Sequence, residues 1–414
     1  MKIIALVDPA TQPGGLTAYS FVDEELVALH ERGVEIVVPS SEHPTDCVIR
    51  GIQVRSMQHE SKSMGRARAL LNLPRFAHYL ASLSPREIKL LLFLLRFELF
   101  VADVAKRERA DIIHSHFAFP DGLGGLVSAS IAGVPLIASF RGSDLVTDIP
   151  YDGNLYQGMR VDPFFERALF RLLPRANRTT YVSDYMRNLG LELGADATRA
   201  ITVPKGVDIS KFAPVSDREA LKRSLGIQGN LILSVCGLIP EKGLQYVLPA
   251  LAEIAPEHEF TLVVGGVGPQ LDELQALAQQ LGITNRVQFL GKISRDRIPQ
   301  YFAAADVFVL ASITEASGNV LLEASASGCP AIGTDSGGPP EYVNDGVSGL
   351  IVPFANSAAM AGAFRTLLGD ANLRARMGAA GRKLMVETFS YDAMISGIMR
   401  VYDSVQGSRR PSAP

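Results

Sequence analysis

The chain has little cysteine, little net charge and no long apolar run. Its three cysteines, Cys47, Cys236 and Cys329, stand far apart among 414 residues. That spacing excludes a disulfide framework or a cysteine metal knot and reads as small buried side chains in a reducing compartment. A formal net charge of −3 argues against a general nucleic-acid binder. The densest leucine stretch, Leu90 to Leu95, is interrupted soon after by Arg96 and Glu98, so it is too short to cross a bilayer. The opening Met1-Lys2-Ile3-Ile4-Ala5-Leu6-Val7-Asp8-Pro9 has too short an apolar run for a signal peptide and reads as a first buried strand. Neither half offers a Gly-x-Gly-x-x-Gly turn after its first strand with an acidic residue about twenty further on, which sets aside a dinucleotide-dependent dehydrogenase.

What is present points to two cores. At 47% hydrophobic and 20% charged, a chain of this length fits two domains of about 200 residues. Short apolar runs recur with helical stretches between them. In the first half they are Lys2–Val7, Glu35–Pro39, Asp111–His114, Leu136–Phe140 and Thr179–Val182. In the second they are Leu231–Val235, Phe260–Val264, Arg286–Leu290, Asp306–Leu310, Ala331–Thr334 and Leu350–Val352. Each set reads as buried parallel strands with crossover helices. The fold class is therefore α/β, with two facing Rossmann-like, doubly wound domains and a cleft between them. The boundary falls near Pro204-Lys205-Gly206, giving 1–205 and 206–390. Residues 391–414 comprise a last helical stretch, Tyr391 to Val405, and a frayed tail.

Residues 62–109 differ from the rest, with ten Lys or Arg against four acids among interleaved leucines and phenylalanines. Basic amphipathic helices lie on anionic membrane surfaces, and they also occur as ordinary packed helices with solvated faces. Both readings stand.

The most informative pair is Glu315 and Glu323, in Thr314-Glu315-Ala316-Ser317-Gly318-Asn319-Val320-Leu321-Leu322-Glu323. The first follows the apolar strand ending at Leu310; the second lies about one turn into the helix opened by the Ser-Gly-Asn turn. Ligands of open parallel sheets collect at that edge, against helix N-termini. A carboxylate there can hold a sugar hydroxyl, and one a turn later can hold a ribose. Alone, the pair fits solvated helix charges better than a site. Its surroundings decide: Gly14-Gly15 after the first strand, Val203-Pro204-Lys205-Gly206-Val207-Asp208 before Phe212, and Glu241-Lys242-Gly243. They continue with Val264-Gly265-Gly266-Val267-Gly268-Pro269, Phe289-Leu290-Gly291 and Gly328-Cys329-Pro330-Ala331-Ile332-Gly333-Thr334. In this order the segments resemble a retaining glycosyltransferase of family four, with the two-domain B-type fold, nearly end to end.

The resemblance implies a nucleotide-sugar donor, UDP- or GDP-linked, held mainly by the second domain, and no further cofactor. Lys242 matches the diphosphate lysine, an ammonium beside a helix start. Gly266 lies in a glycine loop that lets a ligand approach the backbone. Gly291 and Ile293 flank the segment expected to meet the base. Gly318, Asn319 and Val320 offer amides to the distal phosphate, Glu323 takes the ribose hydroxyls, and Glu315 grips the donor sugar. In the first domain, Gly15 approaches the donor, and Gly14, Asp121 and Asp144 face the acceptor. In His114-Ser115-His116 both histidines lie on one side of a strand; His116, nearer its C-terminal end, is the site candidate, and His114 reads equally as a satisfied buried histidine. The acceptor is a saccharide or lipid-linked saccharide, in the cytoplasm or on the inner membrane face, with contact through residues 62–109 in the membrane reading. No Asp-x-Asp occurs, so no divalent-metal clamp is expected.

Two positions depart from the pattern. Gly237 stands where the family usually has an arginine, and Arg141 stands where it often has a histidine. An arginine stays charged and cannot act as a general base; it is expected to replace the cation lost at Gly237. Those departures keep open a binding module without turnover. A nucleotide-sugar epimerase on the same fold is the other alternative.

Overall fold

The computed structural model describes residues 1–7, 16–17, 20–59, 69, 71, 85–142, 145, 149–151, 154–156, 169–170 and 172–406. Gly14, Gly15, Asp144 and the basic stretch 62–84, apart from residues 69 and 71, lie outside them.

Two sheets organise the chain. The first has strand order β10-β9-β6-β5-β1-β2-β4-β3. Its strands are β1 Lys2–Leu6, β2 Glu35–Ser40, β3 Cys47–Ile49, β4 Ile52–Ser56, β5 Ile112–Ser115, β6 Leu136–Phe140, β9 Arg178–Tyr181 and β10 Ala200–Thr202. Every neighbouring pair is parallel except β3–β4, which is antiparallel. The five strands read from the sequence all pair in parallel; β3, outside that set, is antiparallel because Gly51, at φ 84°, turns the chain back on itself and leaves β3 as an edge hairpin strand. A separate hairpin joins β7 Ile149–Tyr151 and β8 Asn154–Tyr156.

The second sheet runs β13-β12-β11-β14-β15-β16, with β11 Asn230–Val235, β12 Phe260–Gly265, β13 Val287–Gly291, β14 Val307–Val309, β15 Ala331–Thr334 and β16 Gly349–Val352. All its pairs are parallel. The central strands β11, β12 and β14 are buried on both faces and rich in Val, Ile and Leu, as such sheets require, while the edge strand β13 alternates half-buried and exposed residues. Strand order reverses at β1/β5 in the first sheet and at β11/β14 in the second. At such a reversal the crossover helices leave to opposite faces and open a crevice beyond the strands' C-terminal ends.

The chain crosses between sheets twice, and the crossings touch. Val207 N–H donates to Phe389 O at 2.8 Å, and Tyr391 N–H donates to Val207 O at 3.0 Å. A Cβ on Gly206 would sit 2.8 Å from Ser390 O, so glycine is what lets the two crossings lie together. The last helix, Tyr391–Asp403, is capped by Ser390. It returns to the first sheet, burying Met394, Ile395, Ile398, Val401 and Tyr402 among the side chains of β1, β2 and the helix Ser20–Glu31. Of the cysteines, Cys329 is buried while Cys47 and Cys236 are partly exposed. The helix Pro85–Arg107 buries Leu94, Leu95, Leu99, Val101, Val104 and Ala105 inside the first domain. Over that half its apolar face is covered by protein. Among the described residues no helix is long and apolar enough to cross a membrane.

Candidate functional site

Two polar clusters lie beyond the strand ends, one in each domain. In the second domain the chain leaves β14, runs through Ser312 to Ser317 and enters the helix Asn319–Ala326. Gly318, at φ 76° and ψ 64°, makes the left-handed step into that helix. Helix geometry leaves the amides of the first turn, including those of Asn319 and Val320, without intrahelical partners of the regular kind.

Lys242 arrives from the neighbouring strand, at the end of the turn Pro240–Lys242. Gly243 follows at φ 71°, and a Cβ there would lie 1.9 Å from Ala311 O. Ile313 N–H donates to Glu241 O at 2.8 Å. These contacts join the lysine turn to the glutamate loop, so Lys242 Nζ sits 2.8 Å from Glu315 Oε2. Ser312 Oγ donates to the same oxygen at 3.4 Å. Both members of the pair retain some exposure, 25% and 18% of the side chain.

The glycine loop is also set by backbone approach. Cys236 N–H donates to Gly265 O, Leu238 N–H to Val267 O and Gly266 N–H to Gly291 O, at 2.8 to 3.0 Å. A Cβ on Gly266 would come within 1.8 Å of Cys236 O. Ile293 lies over Gly265, its Cδ1 2.6 Å from where a Cβ would stand. At Gly237, by contrast, a Cβ would have only Ile239 Cγ1 near it, at 4.0 Å. Nothing in the packing there demands a glycine.

Glu323, within the helix that follows Glu315, has its pKa pushed up to about 7. Burial is the main cause, opposed by the cations of Lys211 and Arg295 and assisted by Glu24 of the first domain. Glu24 accepts from Arg295 Nη1 at 3.0 Å and from Tyr391 Oη at 2.8 Å.

The first-domain cluster is deeper. Arg141, just beyond β6, donates from both terminal nitrogens to Glu25, at 2.7 Å each, and from Nη2 to His116 Nδ1 at 2.9 Å. Arg141 is 6% exposed, Glu25 1% and His116 not at all. Burial alone would raise the Glu25 carboxyl, but Arg141, with Lys205 and His114, holds it below its usual range. His116 is held well below its usual value by burial, then by His114, Arg141 and Lys205. A guanidinium only donates, so His116 Nδ1 accepts and the neutral ring carries its proton on Nε2. The ring of His114 lies 4.2 Å away, between centroids. His114 is buried with both nitrogens partnered, by Tyr402 Oη at 2.9 Å and Ser139 Oγ at 2.7 Å. Lys205 lies 4.1 Å from the centroid of Phe21, and burial, then Arg141, lowers its pKa to about 7. Glu25, Arg141, Ser139, Thr180 and Lys205 line a cavity of about 20 Å³, room for roughly one water.

The structure thus brings Lys242 together with Glu315, and Arg141 with His116. Two of the three guanidinium nitrogens of Arg141 are committed to partners inside the first domain, which leaves its charge balanced by Glu25. Asp121 is buried in the turn Ala118–Gly122 that follows β5. Sequence reasoning missed Glu25 and Lys205. Glu25 sits in an amphipathic helix where a lone carboxylate carries no pattern, and its partner is 116 residues away. Lys205 stood in plain view within the Pro-Lys-Gly linker.

Comparison with known proteins bears on the family and the fold. The family model of Glycosyltransferase Family 4 matches residues 20–211, and that of Glycosyl transferases group 1 matches residues 217–384. The chain is 34% identical over 321 residues to D-inositol 3-phosphate glycosyltransferase of Corynebacterium jeikeium, covering 73% of this chain and 75% of that one. It is 28% identical over 309 residues to N-acetyl-alpha-D-glucosaminyl L-malate synthase of Bacillus anthracis, covering 74% and 77%. Among solved structures, Anabaena HepE in complex with UDP and glucose superposes with a TM-score of 0.72 at 21% identity, over 98% of this chain and all of that one. Two parallel-sheet domains, a family match to each and relatives of this similarity make the chain a member of the family 4, group 1 glycosyltransferases, which use nucleotide sugars.

Proposed function

We propose that the protein transfers a hexose from a UDP- or GDP-sugar to a saccharide or lipid-linked saccharide, with retention at the anomeric carbon and without a divalent metal. The observation that carries this reading is the Lys242–Glu315 pair, 2.8 Å apart at the mouth of a helix N-terminus. A partly exposed ion pair can exchange partners at little cost. When the donor binds, the diphosphate takes up the charge of Lys242, and Glu315 is freed to accept from a sugar hydroxyl.

In the reaction the bond from the anomeric carbon to the distal phosphate oxygen breaks, and its electron pair stays on the diphosphate. The acceptor hydroxyl oxygen forms the new bond on the same face, and its proton passes to the departing phosphate. Negative charge grows on the diphosphate as the sugar becomes oxocarbenium-like. Lys242 and the amides of Asn319 and Val320 are placed to stabilise that charge before it develops. Glu323 accepts from the ribose hydroxyls, and the segment from Gly291 to Ile293 meets the base. His116, fully buried and held by Arg141, supports the first-domain wall of the cleft. We assign the enzyme to the cytoplasm, at the inner membrane face when the acceptor is lipid-linked, in surface-polysaccharide assembly.

A reading as a binding module without turnover draws on Gly237, where the expected second cation is absent. One experiment separates the two. Purified protein is screened by thermal shift with UDP, GDP and their hexose conjugates, with and without EDTA. Donors that bind are then incubated with saccharides, L-malate or inositol 3-phosphate, the last two taken from the relatives' names. Stabilisation by one base class in EDTA is expected, since a ligand that binds the native state raises the midpoint. Proton NMR of the product should show the donor's own anomeric configuration. An inverted product, or a strict need for metal, would sink the mechanism; binding without any product would favour the module.

A further inference from the structure

The loop bearing Glu315 is held from both domains. On its own side, residues 334–338 follow its backbone. Thr334 Oγ1 donates to Ser312 O at 2.6 Å, Ser336 Oγ donates to Ile313 O, and Gly338 N–H donates to Glu315 O at 2.9 Å. Gly337, at φ 88°, has no room for a Cβ, which would lie 2.1 Å from Glu315 O. The carbonyl of the next residue is taken by the other domain. Ser183 Oγ, fully buried, donates to Ala316 O at 2.7 Å while accepting from Met186 N–H at 3.2 Å. The Ala316 side chain itself packs among the core residues of the first domain.

The same short stretch of the first domain is gripped twice more. Glu341 Oε2 accepts from Asp184 N–H at 2.7 Å and Oε1 from Tyr185 N–H at 2.8 Å. These are the first two amides of the helix Asp184–Glu192, where a carboxylate is favoured by the unpaired donors and by the helix dipole. Tyr342 Oη, 1% exposed as a residue, donates to Val182 O. Residues 182–185 of one domain therefore meet 316, 341 and 342 of the other, and one of those contacts falls on the neighbour of Glu315.

We propose that Glu341 and Ser183 are positioning residues for transfer: Glu341 caps the helix Asp184–Glu192 across the domain boundary, and that docking lets Ser183 hold the backbone of the Glu315 loop in its reactive place. This rests on the reading of Lys242 and Glu315 as the donor site. Binding of the nucleoside diphosphate, which draws on the second domain, does not need the latch; transfer does. A helix cap that served stability alone would not make this distinction.

The test uses the full chain and four variants, of which three are Glu341→Ala, Ser183→Ala and, as a cap of similar kind far from the boundary, Asn356→Ala, which removes the Asn356 side chain that accepts from Ala359 N–H. Glu341→Gln, which keeps one acceptor oxygen, serves as the conservative variant. The expected result is a fall in kcat of about 10- to 100-fold for Glu341→Ala and Ser183→Ala, the scale of a small misplacement at a reacting centre. Affinity for the nucleoside diphosphate that binds the native protein should stay within about 2-fold. Glu341→Gln should recover part of the loss, and Asn356→Ala should lose midpoint temperature without losing kcat. Amide exchange in ligand-free protein gives a readout independent of the donor: Ser183→Ala, in the first domain, should speed exchange in residues 312–320 of the second. Unchanged kcat in both latch variants, or a loss that merely tracks midpoint temperature as in Asn356→Ala, overturns the proposal. So does unchanged exchange over 312–320 in Ser183→Ala. If native protein binds no nucleotide, the donor-site reading fails, and the exchange result alone decides whether the domains are coupled as described.

Discussion

The two polar clusters contain the same elements, a cation set against a glutamate, and differ in how far they are from water. Lys242 and Glu315 keep about a fifth of their side-chain surface. Arg141 and Glu25 keep almost none, and Arg141 is fixed by three hydrogen bonds. An exposed pair is weak and exchangeable. A buried one is costly to break, because the partner left behind is a charge without water. The same charges therefore suit a ligand site in one domain and a fixed support in the other. Arg141 answers to the second description: its fork holds Glu25, and its remaining reach fixes His116.

The strongest way to break this comparison is to cut each pair on one side. Arg141→Met leaves Glu25 buried and unpaired, and urea unfolding should show a loss of about 3–5 kcal/mol. Replacing both, as Glu25→Leu with Arg141→Met, should recover much of it, since an apolar pair of similar volume often matches a buried ion pair. Comparable stability of native and Arg141→Met would mean that the buried pair is not the support described here. Lys242→Ala should behave in the opposite sense. Stability should change by less than about 1 kcal/mol, while the transfer rate falls by about 10² to 10³, the cost of losing one preorganised group at developing charge. Unfolding titrations and initial rates on the same preparations check both halves.

How much of this was legible in the chain follows from the same contrast between local and distant partners. All eleven runs became strands, most of them because a strand buried on both faces must be continuously apolar and so announces itself; the edge strand β13 and the threonine-rich β9 are the exceptions to that cause. Strand β4, Ile-Gln-Val-Arg-Ser, went unseen because it alternates buried and half-buried residues, and β3 and β10 are only three residues long. Glu315 and Lys242 could be found because each stands near a glycine the backbone requires: Gly318 for its left-handed step, and Gly243 for the close approach of Ala311 O. Glu25, Ser183 and Glu341 could not. Glu25 meets Arg141 across 116 residues, Ser183 meets Ala316 across 133, and Glu341 meets Asp184 across 157. The first pairing exists only once the first domain is folded, and the other two only once the domains are docked, so no local pattern can encode them.

Glu323 lies between the two regimes and gives the smallest but most specific effect. Its folded pKa is about 7 against an ordinary carboxyl value of 4.5, chiefly through burial. A carboxyl raised on folding is protonated more readily in the native state. Its stabilising contribution is thus complete below the unfolded value and is lost as pH rises toward 7. Binding runs the other way. A carboxylate that accepts from two ribose hydroxyls favours its ionised form, so the ligand must drive off a proton wherever Glu323 carries one. Nucleoside diphosphate affinity should therefore rise from pH 6 to pH 8, approaching about tenfold per pH unit below 7 and flattening above it. Calorimetry in two buffers of different ionisation enthalpy should show proton release at pH 6 that vanishes by pH 8. In Glu323→Gln the amide stays neutral, and the part of the proton release due to this carboxyl should disappear while the phosphate's own titration remains. Release that survives the substitution in full would place the titrating group elsewhere, and with it the hydroxyl contact assigned to Glu323.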